Sequence, residues 1–228
     1  MSSHPDASPI NPLPAVVVAL SLAIFGVEAM LWAAGQGIIG GAAGVGWRID
    51  AIQTYGFSGR LFDWMVETRR FEFDNMIRFV TYPFIHNSFL HVAMVLVFLL
   101  ALGKMVSEVL GSMALIITFF TCAIVGALAF ALITDVQEPL YGGYPAVYGL
   151  IGTYTFILWV RLGRSGQNQM QAFSLIAMLM GIQLIFGLLF TVGFTWIAEV
   201  VGFVTGFLIA PLVAPGGFRR FLDKMRQR

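Results

Sequence analysis

Residues 112–134 read SMALIITFFTCAIVGALAFALIT, twenty-three residues without a single charge. A helix that crosses about 30 Å of hydrocarbon needs roughly 20 apolar residues, and this run supplies them. Working outward, five further stretches come close to the same requirement: Leu13–Ala34, Ser88–Val106, Pro145–Leu162, Ala172–Phe194 and Thr195–Val213. Lipid offers no partner to backbone N–H and C=O groups, so each crossing segment must close its own hydrogen bonds as a helix. Composition agrees. Of 228 residues, 58% are hydrophobic and 11% charged, where a soluble domain carries about 25% charge. A cytosolic globular protein and a disordered chain are both excluded. The expectation is an all-α polytopic membrane protein, a six-helix bundle forming a single membrane domain over residues 1–228. It comprises a tail at 1–12, an outer loop at 35–83 and a basic tail at 214–228.

A net charge of +1 gives no reason to expect nucleic acid as a partner. The lone cysteine, Cys122, excludes an internal disulfide framework. Three histidines, one of them His4 in the tail, leave little for a metal centre, and no cofactor is implied. The first apolar stretch is too long for a cleaved signal peptide, and no Lys or Arg precedes it. Orientation follows the basic residues. Lys104, Arg161, Arg164 and five in the tail fall on one side, against five on the other: Arg48, Arg60, Arg69, Arg70 and Arg78. Both termini are therefore expected in the cytoplasm, and the compact form suggests a bacterial inner membrane. The tail Phe218–Arg228 carries the aromatic and basic residues of a headgroup anchor. In the outer loop, the glycine-rich stretch Gly35–Gly46 reads as flexible. The mixture of apolar and charged residues over Gly59–Phe73 reads as an interfacial helix.

Ionisable groups inside spans are costly unless paired or wet, so each is a functional candidate. Glu28, His91 and Glu199 all fall near the outer ends of their helices, and one shared polar pocket open to the outside is expected. Gly202 and Gly206 form a GxxxG pair, and Gly142, Gly143, Gly149 and Gly152 surround the start of the fourth span. Small residues let helices approach closely, which predicts a tight pairing of the fourth and sixth spans through Gly149, Gly202 and Gly206. Thr153 and Thr155 are expected to bond carbonyls of the preceding turn.

Taken in order, these motifs resemble the rhomboid family of intramembrane serine proteases over about Phe73–Pro211. Ile77–His86 is similar to the family's segment leading into its second span, with Arg78 retained from a Trp-Arg pair, and His86 and His91 keep the spacing of two family histidines. Glu108 and Gly111 resemble its Glu-x-x-Gly. Gly142-Gly143-Tyr144-Pro145 lies where the family has Gly-x-Ser-Gly, and Ala198-Glu199-Val200-Val201-Gly202 with Gly206 where it has Ala-His-x-x-Gly-x-x-x-Gly. The resemblance implies a six-helix bundle around a water-filled cavity facing outward.

It also exposes departures. Tyr144 stands at the implied serine, Glu199 at the histidine, Val95 at an oxyanion-holding asparagine, and Pro145, which has no N–H, at the following glycine. Tyr148 retains the family's tyrosine. No histidine follows His91, and Ser88 shares a helix with it. The expectation is a catalytically degenerate pseudoprotease, with Tyr144 donating a hydrogen bond to Glu199 and with His91, Tyr148, His86 and Glu28 completing the pocket. Such a protein would bind membrane lipid and transmembrane segments of other proteins between its second and fifth helices, at Phe89, Leu96, Phe98, Met178, Met180 and Phe186. Its role, by analogy with inactive members of the family, would be quality control, trafficking or assembly. Two alternatives stay open: a structural subunit of a large membrane complex, and a protease with residual activity.

Overall fold

A computed structural model describes residues 12–189 and 193–217; the tails at 1–11 and 218–228, with His4 and the expected headgroup anchor, lie outside it. The regular structure among the described residues is helical apart from one isolated antiparallel bridge between Phe57 and Leu140. Among the described residues, five helices are long and apolar enough to cross a membrane: α1 (Ala15–Gly35), α4 (Phe89–Leu110), α5 (Ser112–Ile133), α6 (Tyr144–Arg164) and α8 (Thr195–Val213). Between α1 and α4 the longer helices are α2 (Trp47–Tyr55) and the amphipathic α3 (Gly59–Thr68), with single turns at Gly41–Gly44, Phe73–Met76, Arg78–Thr81 and Tyr82–Phe84. The expected fifth span is shorter in its described part: a 3-10 turn, Gln169–Phe173, leads into α7 (Ser174–Leu189), 16 residues long.

The centre of the bundle is α6, buried without a break from Pro145 to Thr153. A helix shielded from lipid by protein needs less hydrophobicity of its own, which accounts for its tyrosines, threonines and glycines. On one side it packs against α8 with backbones in contact. A Cβ added to Gly206 would overlap the carbonyl of Gly149, and one on Gly202 would overlap the carbonyl of Pro145. Gly149 itself has the Cys122 side chain of α5 against its Cα. Across this seam the Thr153 hydroxyl donates to the Gly206 carbonyl at 3.0 Å, so Thr153 bonds the neighbouring helix and not its own preceding turn. The approach of the two backbones brings that carbonyl within reach.

The segment between α1 and α4 is a folded cap. The glycine-rich stretch after α1, read from sequence as flexible, winds back on the helix end: Ile38 N–H bonds the Ala33 carbonyl at 3.0 Å, and Gly44 is buried beneath the chain. Phe57, Phe62, Phe79 and Tyr82 form an aromatic core under the cap. The buried Tyr82 hydroxyl donates to the Ala123 carbonyl of α5 at 2.8 Å. Arg78 donates to the carbonyls of Gln53 and Gly56, tying the segment before α4 to the end of α2. In α3, Met65 is buried and Phe62 packs on the core, while Trp64 and Val66 are exposed.

Candidate functional site

The site is assembled where the starts of α4, α6 and α8 converge under the cap. Ser88 opens α4 as an N-cap, its Oγ accepting the His91 backbone N–H at 3.3 Å. That engagement assigns the Ser88 hydroxyl to helix capping. One turn in, the His91 ring stacks on Tyr144, with centroids 4.8 Å apart and planes 20° apart, and meets His86 edge-on at 5.0 Å. Asn87 steadies it from outside, pairing its Oδ1 with His91 Nδ1 at 3.2 Å and its amide with the Tyr141 hydroxyl at 3.4 Å.

The loop into α6 is shaped around these rings. Gly142 has φ +94°, and a Cβ there would come within 2.6 Å of the His91 ring, so both backbone and space demand glycine. Gly143 follows with Val95 of α4 against its Cα, and donates its N–H to His86 Nε2 at 3.3 Å. Tyr144 and Pro145 then begin the helix, where proline's missing N–H costs nothing.

His86 is fully buried. Burial, reinforced by His91 and the Arg48 charge, pushes its pKa down to about 3, so the ring is neutral at physiological pH and its Nε2 is an acceptor. The His86 carbonyl accepts from Arg48 at 2.6 Å. The same guanidinium grips Glu28 of α1 through both oxygens, at 2.9 and 2.8 Å. A continuous polar path therefore runs from α1 through α2 and His86 to the first turn of α6.

Glu199, 4% exposed on the second turn of α8, faces a cavity of about 370 Å³ together with His91, Tyr141 and Tyr144. It lies within electrostatic reach of Tyr144 and Tyr148, and Tyr148 sets its ring edge-on to Tyr144 at 6.4 Å. Glu28 does not line this cavity. The expectation that Glu28, His91 and Glu199 share one pocket is corrected on that point: the bidentate ion pair with Arg48 holds Glu28 apart from this lining, within electrostatic reach of His91. Sequence reading missed Arg48, Asn87 and Tyr141. For Arg48 a signal existed, since a carboxylate inside an apolar helix calls for a cation and Arg48 is the first basic residue in the chain. Among the described residues no group of His, Cys, Asp and Glu could hold a metal ion.

Residues 74–216 match the family model of the Rhomboid domain. The chain belongs to the rhomboid family. A search of the curated proteins finds no match to it. The rhomboid match takes in α4 to α8 and hence every residue lining the cavity, while Glu28 and Arg48 lie before it. This rhomboid is accordingly an integral membrane protein with several apolar helices.

Proposed function

We propose that this rhomboid is proteolytically inert and binds transmembrane helices of other membrane proteins. In this reading the bundle has six crossings, α7 forming the fifth, with both termini in the cytoplasm of a bacterial inner membrane. Tyr144 and Glu199 occupy the implied serine and histidine positions, the phenol bonding the carboxylate.

The observation that carries the reading is the bond from Gly143 N–H to His86. Acyl transfer needs a nucleophile activated by an adjacent base and donors aimed at the developing oxyanion. At the start of α6 one backbone donor is consumed by His86, Pro145 has none, and Val95 fills the adjoining space. Tyr144 is a phenol, a group whose ordinary pKa is near 10. None of these groups supplies a base-activated alkoxide.

Client binding is supported by the outer surface of α4 and α7. Phe89 and Met178 are exposed, and Leu96, Phe98 and Met180 are half-buried against the core; the Phe186 side chain lies outside the described residues. Flexible Met and large aromatic side chains can repack around varied partners.

The test has two arms. Purified protein in proteoliposomes is offered single-span reporter substrates, and no cleavage above empty liposomes is expected. A pull-down from native membranes in mild detergent is expected to recover many single-span proteins at low ratio. Cleavage that disappears in Tyr144→Phe overturns inertness. One complex recovered at constant ratio overturns client binding in favour of a structural subunit.

A further inference from the structure

The apolar side of α3 is taken up by the protein, since Met65 is buried and Phe62 packs on the core. The stretch after it is built the other way round. Phe73 is 75% exposed, Met76 42% and Val80 40%, and Phe84 is half-buried. The turns Phe73–Met76, Arg78–Thr81 and Tyr82–Phe84 follow one another with Ile77 and Tyr82 at right-handed helical angles. Spacings of three and four residues therefore set these four side chains on one face. The polar side chains turn inward: the Arg78 guanidinium donates to the carbonyls of Gln53 and Gly56, and the Thr81 hydroxyl to that of Tyr55. We propose that the stripe Phe73, Met76, Val80 and Phe84 is seated among the lipid acyl chains of the leaflet that borders the start of α6.

Depth along α5 carries the argument. Gly59 lies against Ala131, near the end of α5 that leads to α6. Further along the cap, the Tyr82 hydroxyl reaches the Ala123 carbonyl at 2.8 Å. The Phe84 ring goes lower still, with its centroid 6.1 Å from that of Phe119 and 6.3 Å from that of Phe120. At 1.5 Å per residue, Ala123 is about 15 Å from the end of α5 at Ile133, half of a hydrocarbon layer about 30 Å thick. Phe84 therefore sits near mid-depth and Val80 about 6 Å above it, with Met76 and Phe73 toward the headgroups.

Lipid admits such a segment only if its backbone groups find partners within the protein. The N–H groups of Ile77, Val80, Thr81, Tyr82 and Ile85 bond carbonyls of the segment itself, and Gly142 donates a second bond to the Tyr82 carbonyl. Beyond Asp74 no Asp, Glu or Lys occurs before Lys104, and the one Arg is Arg78, already engaged with the cap. A segment folded against water buries its apolar side chains and exposes its polar ones; this one does the reverse. The stripe runs down beside α5, apart from the α4–α7 surface offered to clients, so the inference stands whether or not that surface binds them.

The experiment measures depth by power-saturation EPR on the full chain in liposomes, with a nitroxide at Met76→Cys, Val80→Cys or Asp63→Cys. The native Cys122 is buried, and the parent chain treated with the same label supplies its background. At Met76 and Val80 the nitroxide is expected to relax faster with oxygen, which partitions among acyl chains, than with a water-soluble nickel chelate. At the exposed Asp63 the order should reverse. Val80 should read about 6 Å deeper than Met76, as four residues of helix require. Nickel dominating at Val80 places the segment in water and overturns the proposal. Exclusion of both reagents also overturns it, because protein then covers the stripe; recovery of oxygen access on dilution of the protein in lipid would identify that cover as a second copy. Should the Val80 variant fail to fold, Met76 read against Asp63 decides by the same signs.

Discussion

The α6–α8 seam and the α7 helix are built on opposite plans. Along the seam the two backbones touch, with Gly202 and Gly206 against the carbonyls of Pro145 and Gly149, and the Thr153 hydroxyl crosses between them. α7 places Ile176 in the core, with Leu175, Leu179 and Met180 packed against it, and leaves Met178, Ile182 and Ile185 exposed. The difference teaches what holds helices together in a membrane. Lipid tails are as apolar as leucine, so burying one apolar side chain against another gains little there. Close van der Waals packing and interhelical hydrogen bonds carry the association. A seam of glycines gains from both. A helix faced with Leu, Ile and Met gains almost nothing over lipid, and is free to exchange one apolar neighbour for another.

The sharpest way to break this contrast is to add one methyl group to the seam. Gly206→Ala drives a Cβ into the Gly149 carbonyl, and neither backbone can yield without parting the helices. A loss of about 3 kcal/mol is expected by reversible unfolding in mixed micelles, at the upper end of overpacking costs. Gly26→Ala on α1, where the new Cβ meets nothing within 4 Å, serves as the control. It should change stability by less than about 0.5 kcal/mol. Equal effects at the two sites would mean that the seam is not the source of rigidity.

Next in size is the polar path that joins α1 to the site. Glu28 is 2% exposed and its partner Arg48 retains 23%. Removing the guanidinium strands a buried carboxylate, at a cost of about 3 kcal/mol. Arg48→Met should therefore destabilise the protein strongly, and Glu28→Gln in the same chain should restore more than half of the loss. If the double variant is as unstable as the single, the pair matters for its contact with the His86 carbonyl and not for charge balance.

Both regions tell how much was legible beforehand. The seam was open to sequence reading because its cause is local: small residues four apart at Gly202 and Gly206 mark one helix face wherever the helix sits. The fate of Thr153 was not, since its bond depends on how closely a second backbone approaches. The polarity of the cavity could be expected from Glu199 and His91, each costly in an apolar span. That Glu28 leaves this cavity for Arg48 required knowing that the cap folds back over α1, and nothing in residues 35–47 announces that turn except glycines. Likewise Tyr141 and Asn87 sit in loops without periodicity, and only the folded chain brings them to His91.

A smaller effect sharpens the boundary between seam and cap. His86 is held neutral, with its pKa pushed down to about 3 by burial, whereas an unfolded histidine titrates near 6.5. Between these values the unfolded chain binds a proton that the native chain refuses, so stability rises with pH across the window and is complete above about 6.5. Acidification from pH 7 to 5.5 should cost about 1 kcal/mol, in a range where exposed carboxylates are silent. His86→Gln preserves an acceptor for Gly143 N–H and should remove that part of the slope. An unchanged slope in this variant would show that the His86 proton does not control the closure of the cap on α6.

The smallest effect on stability belongs to α7, and it is the most informative for function. Met178 is 56% exposed, so its truncation removes contacts with lipid or client and few with the bundle. Met178→Ala should leave the unfolding free energy within about 0.5 kcal/mol of the parent. The same change should reduce photo-crosslinking of single-span clients from a probe placed at Phe89. A large loss of stability would mean that α7 is packed as firmly as α8, leaving no face to exchange lipid for a partner. Unchanged stability with unchanged crosslinking would move the docking surface elsewhere on the bundle. Because lipid and a client helix present the same hydrocarbon to Met178, only the second measurement can tell an idle surface from a working one.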